Sequence, residues 1–139
     1  MHFNPRSITA HRLASAWALI VAISLSAGVA AAAETVTLVI DFGGGKVKTF
    51  DKLAHRDGMT TRDAMNQAKD AQGGITFAQR GRGETAFLTA IDGVKNEGGG
   101  LEGRNWTYRV NGKLAKVGFA VRKLEASDTV QWKFGPLKK

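Results

Sequence analysis

From Glu34 onward, apolar side chains recur at every second residue in segment after segment, and at helical spacing only once. Alternation buries one face of a strand, whereas a 3.6-residue spacing buries one stripe of a helix. Such a chain is restricted to sheets packed around a single helix. Val36, Leu38, Ile40 and Phe42 alternate with Thr35, Thr37, Val39 and Asp41, which predicts a half-buried strand. Gly43-Gly44-Gly45 turns the chain, and Lys46 to Lys52 returns as its partner. Val47 and Phe50 have opposite parity there, so the returning strand needs either a bulge or two packed faces.

The helix follows the Asp57-Gly58 turn. Thr60 is placed to cap the free N–H groups, Asp63 to reach back as in a capping box, and Met59 to staple onto Ala64. Ala64, Met65, Ala68 and Ala71 share one stripe until Gly73-Gly74, giving a helix over about residues 61 to 71. Ile75 to Arg80 and Glu84 to Ile91 read as two strands around Gly81-Arg82-Gly83, closed by Asp92-Gly93. Asn96 to Gly103 reads as a flexible, glycine-rich loop. Trp106, Tyr108 and Val110 resume the alternation, and Asn111-Gly112 is a strong hairpin signal. Phe119 to Val121 adds a short strand, and Val130, Trp132 and Phe134 share the face of the last one. The order is that of an α+β domain with a mixed sheet of four to six strands on one helix.

Before this domain, Leu13 to Val29 is an uncharged apolar run of 17 residues, preceded by Arg6, His11 and Arg12 and ending in Ala30-Ala31-Ala32-Ala33. The pattern is that of an export signal over residues 1–33 with cleavage before Glu34, and an uncleaved anchor is the competing reading. With no Cys after the run and no twin arginine, the general export route is expected, to the periplasm or the medium. Removing 33 of the 139 residues leaves 106, one domain's worth, over residues 34–139. With Arg6 and Arg12 gone, 18 Lys and Arg face 12 Asp and Glu, a net charge of +6. Outside a cell the anionic candidates are acidic polysaccharides, envelope phosphates, lipid head groups or acidic proteins rather than nucleic acid, but the charges are scattered singly along the strands, so solubility is the reading taken over a dedicated anion site.

The same 106 residues hold no Cys, one His (His55), one Ser (Ser127) and one Tyr (Tyr108), a poor inventory of nucleophiles and bases. Neither Gly43 to Gly45 nor Gly81 to Gly83 has phosphate-loop spacing. Asp92, Asn96, Glu97 and Glu102 offer oxygen ligands that suit Ca²⁺, but in no known loop pattern, so a solvated loop is the reading taken. His55 alone cannot hold zinc and reads as a surface turn residue. Trp106, Tyr108 and Trp132 are either core or a stacking platform, and core is preferred because each large buried ring stabilises a small domain by a few kcal/mol. No catalytic residue, metal or cofactor is expected. The candidate binding surface is a loop face formed by Gly43 to Gly45, Arg80 to Arg82 and Asn96 to Arg104. Its residues are Arg80, Arg82, Asn96, Arg104, Trp106, Tyr108 and Asn111.

Four segments in order carry a resemblance: Gly58-Met59-Thr60-Thr61-Arg62-Asp63-Ala64-Met65, Ala90-Ile91-Asp92-Gly93-Val94, Asn105-Trp106-Thr107-Tyr108-Arg109-Val110-Asn111-Gly112 and Asp128-Thr129-Val130-Gln131-Trp132. Together they resemble a bacterial exported family catalogued as domain of unknown function 4430, similar to the C-terminal domain of transcobalamin and intrinsic factor. The resemblance covers about residues 36 to 134 and implies a β-grasp-like sheet on one helix. In the vertebrate relatives that domain closes over cobalamin beside a helical domain, which has no counterpart here. Ser127 stands where the family has Gly before the Asp. The resulting expectation is an exported, non-enzymatic binding or interaction module for a protein, glycan or small molecule. A cobalamin or tetrapyrrole accessory domain and a carboxylate-dependent hydrolase of envelope glycan are the alternatives.

Overall fold

The computed structural model of the chain describes residues 32–137 together with Gly28. The export signal read over residues 1–33 therefore lies almost wholly outside the described residues, as does the Lys138-Lys139 tail. Among the described residues, no helix is long and apolar enough to cross a membrane.

Strand β1 (Thr35–Asp41) buries Val36, Leu38 and Ile40 and turns its alternate residues outward, as the period of two requires. Its antiparallel partner β2 (Val47–Ala54) pairs Leu53 with Val36 but Phe50 with Leu38, so β2 takes three steps against two. This bulge brings Phe50 and Leu53 to the inward side, and Val47 is left 50% exposed. One bulge therefore resolves the parity conflict, and β2 has one packed face.

Helix α1 (Thr61–Asp70) begins where the capping box places it. Asp63 N–H donates to Thr60 Oγ1 at 3.3 Å, and Thr60 N–H donates to Asp63 Oδ2 at 2.8 Å. Two more of the helix's free N–H groups are taken by a distant segment: Thr61 donates to the Arg122 carbonyl at 2.9 Å and Arg62 to that of Phe119 at 3.0 Å. Ala64 closes onto Thr60, so all four initial donors are satisfied. The buried stripe is Thr61, Ala64, Met65 and Ala68, with Ala71 at the C-cap.

The remaining elements are β3 (Phe77–Arg80), a short 3₁₀ turn (Gly83–Thr85), β4 (Phe87–Ile91), β5 (Val94–Lys95), β6 (Asn105–Val110), β7 (Lys113–Leu114) and β8 (Thr129–Gly135). They form two sheets. The larger has the order β2-β1-β8-β6-β7, with β1 and β8 parallel and the other pairs antiparallel; the smaller has the order β3-β4-β5. The mixed sheet on one helix is present with five strands, and the second sheet is an addition to the expected architecture. Two expected strands are also shorter: Ile75 is buried with its N–H on the Ala68 carbonyl, and Glu84 lies in the 3₁₀ turn.

Phe119 to Val121 is a turn, contrary to the strand expected there. Val121 and Arg122 N–H both point at the Gly118 carbonyl at 3.1 Å, while the carbonyls of Phe119 and Arg122 serve the helix. Phe119 itself plugs the core, its ring 5.6 Å from that of Trp132 at 80°. Helix α1 packs on β1 and β2, and β4 approaches β6, so one face of the large sheet is covered in two parts. Val36 to Ile40, Trp106 to Val110, Val130 and Trp132 share one hydrophobic core with both covers.

Two hairpin turns, Asp92-Gly93 and Asn111-Gly112, have positive φ at both residues (47° and 77°, 50° and 80°), the backbone of a type I′ turn. Ser127 has φ 68° without being glycine or asparagine, which costs a side-chain-bearing residue about 1–2 kcal/mol. Ser127→Gly is expected to raise stability by about 0.5–1 kcal/mol once the larger freedom of unfolded glycine is offset; urea unfolding measures it, and an unchanged midpoint would contradict the strain.

Candidate functional site

The register of the large sheet brings two of the three proposed loops together. Asp41 pairs with Lys133 at the end of the parallel strands, and Asn105 pairs with Gly135. The Gly43 to Gly45 turn and the Asn96 to Arg104 loop therefore leave the same end of the sheet, where Leu137 N–H also reaches the Leu101 carbonyl at 3.2 Å. Arg80 ends β3 of the small sheet, and it meets the start of the Asn96 to Arg104 loop not at this end but across β4 and β5, where Arg80 and Asn96 border one depression.

The Asn96 to Arg104 loop is internally bonded where a flexible loop was expected. Asn105 Nδ2 donates to the carbonyls of Gly98, Gly100 and Gly103 at 3.0–3.4 Å, and its Oδ1 accepts from Gly98 N–H at 2.9 Å. The chain crosses itself so closely that a Cβ on Gly103 would lie 1.5 Å from the Gly98 carbonyl oxygen. Glu97 and Arg104 form an ion pair across the loop, which holds the Glu97 carboxyl below its ordinary range.

Three of the four oxygen ligands weighed for Ca²⁺, Asp92, Asn96 and Glu97, are separately engaged. Asp92 accepts from Lys48 Nζ at 2.7 Å and from Thr76 N–H at 2.8 Å. Burial works to raise its carboxyl, but these two donors outweigh it and hold it below the ordinary range. Asn96 Nδ2 donates to the Leu88 carbonyl and its Oδ1 accepts from Trp106 N–H, both at 2.7 Å. Among the described residues no group of three metal-ligating side chains comes together. The Gly43 N–H is likewise taken, by Asp41 Oδ1 at 2.8 Å.

Trp106, Tyr108 and Trp132 are 6%, 7% and 3% exposed, which places them in the core. Trp106 Nε1 donates to the Val94 carbonyl at 2.8 Å, and Tyr108 OH donates to that of Val117 at 2.5 Å. Burial pushes the Tyr108 phenol up to about 12. Asn111 Nδ2 donates to Asp128 Oδ1 at 2.8 Å and its Oδ1 accepts from Thr129 N–H at 2.9 Å. Arg104, besides its ion pair, lies 5.6 Å over the Phe134 ring. Four of the seven candidate residues thus hold the fold: Asn96, Trp106, Tyr108 and Asn111.

His55 is not a surface turn residue. Its side chain is 6% exposed, with Nε2 2.8 Å from the Leu124 carbonyl and Nδ1 3.4 Å from Glu34 Oε2. The Leu124 carbonyl, helped by Glu34, raises its pKa above the ordinary value.

Arg80 and Arg82 remain exposed. On the outer face of the small sheet, Arg80, Phe87, Lys95 and Asn96 surround an open depression of about 410 Å³ floored by Ala78, Thr89 and Ala90. Phe87 and Lys95 were missed by the sequence reading. Parity along β4 does not reveal them, because Leu88, Ala90 and Ile91 are all buried and Thr89 is the extra residue of a bulge. A second depression of about 280 Å³ lies between Phe87, Tyr108 and Val117, and a third of about 260 Å³ holds Thr107, Arg109 and Lys133 on the uncovered face of the large sheet.

Asn96→Ala strips partners from a buried carbonyl and a buried N–H, and is expected to lower stability by about 2–3 kcal/mol; a smaller loss in urea unfolding would contradict its bridging role. For His55, a raised native pKa means that the charged form's contribution is complete below the unfolded value and lost as pH rises through the native one. The stability gap between the parent chain and His55→Gln is expected to be larger at about pH 5.5 than at about pH 8.5; an equal gap would contradict it.

No curated protein matches the chain. Residues 58–136, from the turn before α1 to the end of β8, match the family described as Domain of unknown function (DUF4430). That is more than half of the chain, which therefore belongs to this family.

Proposed function

We propose that this protein is an exported, non-enzymatic binding module built on a β-grasp-like domain, which holds an anionic ligand on the outer face of β3, β4 and β5. The β-grasp reading, and with it the likeness to the C-terminal domain of transcobalamin, is supported by the central parallel pair, its antiparallel flanks and one helix across a single face. Export is supported by the apolar run and the alanines before Glu34.

One observation carries the ligand face: two cations and an aromatic ring stand around an open floor of small residues that contains no carboxylate. The side chains of Asn96, Arg104, Trp106, Tyr108 and Asn111 are by contrast bonded to the chain itself. A hydrolase of envelope glycan would need two carboxylates facing one cleft. Four depressions lined by described residues hold no carboxylate, and a fifth holds one, Glu84. The tetrapyrrole alternative draws on the apolar depression between Phe87, Tyr108 and Val117, whose walls suit a flat ring.

The full chain, produced in a host with an envelope, is expected to be recovered outside the cytoplasm with Glu34 at its N-terminus. It should bind isolated envelope material in a salt-sensitive way. Recovery in the cytoplasm, or no retention at low salt, would contradict the proposal. An absorbance shift on titrating cobalamin would move the reading to the tetrapyrrole alternative.

A further inference from the structure

The small sheet offers chemistry more specific than a general basic surface. Its register places Arg80 directly opposite Phe87, and Ala90 opposite both Ala78 and Lys95. Between these rows β4 carries one residue too many: Ala78 pairs with Ala90 and Gln79 with Leu88, leaving Thr89 as the extra residue of a bulge. A bulge bends its strand and re-aims side chains. Here three long side chains stand around a floor of two alanines and a threonine, open to solvent and about 410 Å³ in volume.

Asn96, at the edge of that floor, is committed to the fold, whereas the three long side chains are open to a ligand. Phe87 is 52% exposed. Arg80 and Lys95 are exposed and form no ion pair among the described residues. Arg82, also exposed, continues the basic row past Gly81. The contrast lies with Lys48 and Arg104, which are neutralised by Asp92 and Glu97.

We propose that this face binds an acidic glycan, a chain of sugar rings bearing carboxylates, with one ring lying on Phe87 and its carboxylates held by Arg80 and Lys95. The inference rests on the exported-module reading and names its ligand class. An exposed aromatic ring offers a flat apolar surface to the C–H face of a sugar. The guanidinium of Arg80 presents a planar fork that matches a carboxylate with two hydrogen bonds. Alanines opposite one another let a flat ring approach the strands closely. The depression is open rather than enclosed, so a polymer can cross it without its ends being accommodated. Two cations with no acid on the floor select negative charge and repel none of it.

The test is calorimetry on the protein as its expression host produces it, with an oligogalacturonate as probe. A neutral gluco-oligosaccharide of equal length and vesicles of phosphatidylcholine with phosphatidylglycerol are the comparison ligands. Binding of the oligogalacturonate alone is expected, weakened about tenfold in Arg80→Gln and in Lys95→Gln, and by a similar factor in Phe87→Ser. Lys69→Gln, which removes an equal charge on the helix, should leave the affinity unchanged. All of these side chains are on the surface, and equal unfolding midpoints verify that the variants fold. Equal binding of the neutral sugar, a preference for the vesicles, or the same loss in Lys69→Gln would overturn the inference. If envelope material is retained through Arg80 and Lys95 but the oligogalacturonate is not bound, the glycan assignment fails while the binding-module reading stands. If envelope material is not retained at all, the reading itself fails.

Discussion

The parallel pairing of β1 with β8 is the contact on which the rest of the domain depends. It joins the first strand to the last, Thr37 beside Thr129 through Asp41 beside Lys133, so the chain between them supplies the other three strands of the sheet and the cover over one of its faces. Parallel neighbours cannot be joined by a tight turn. The connecting chain uses its length to build both covers of the core, helix α1 on one half and the small sheet on the other. The pairing also closes a long loop, and its entropic cost is met by burying the aromatic chain Tyr108, Trp132, Phe119 and Phe77, with ring centroids 4.7, 5.6 and 6.4 Å apart.

What could be read from the residues was local. The parity of Val36 to Ile40 and of Trp106 to Val110, the capping box at Thr60 and Asp63, and the two hairpin turns are each decided within a few residues. The bulge in β2 was visible as a conflict of parity, though its place was not. The second sheet was not legible, because whether a strand extends one sheet or starts another is settled by competition among edges distant in sequence. Phe119 to Val121 failed for a related reason. Its backbone groups had better partners in the helix N-terminus than in any ladder, and nothing near Phe119 in sequence announces this.

The candidate site divides along the same line. Asn96, Trp106, Tyr108 and Asn111 drew attention as polar or aromatic residues near loops, and the fold uses each of them to bond distant backbone groups or to fill the core. His55 likewise went unrecognised as a strut, because its partners Leu124 and Glu34 are far from it in sequence. Phe87 and Lys95 become neighbours of Arg80 through cross-strand register, shaped by a bulge that no local pattern displays. The pair of hydrogen bonds at Asn96, donated to the Leu88 carbonyl and accepted from Trp106 N–H, fixes the small sheet against the large one, which gives that face a rigid backing.

Both outer strands of the large sheet are poor templates for another chain. β7 is two residues long, and β2 is interrupted by its bulge, turns Lys48 inward and carries Lys46 and Lys52 beside it. Short length, a kink and lysine are the devices by which sheet proteins resist edge-to-edge growth. In a domain without disulfides, these features disfavour edge-to-edge growth of the large sheet.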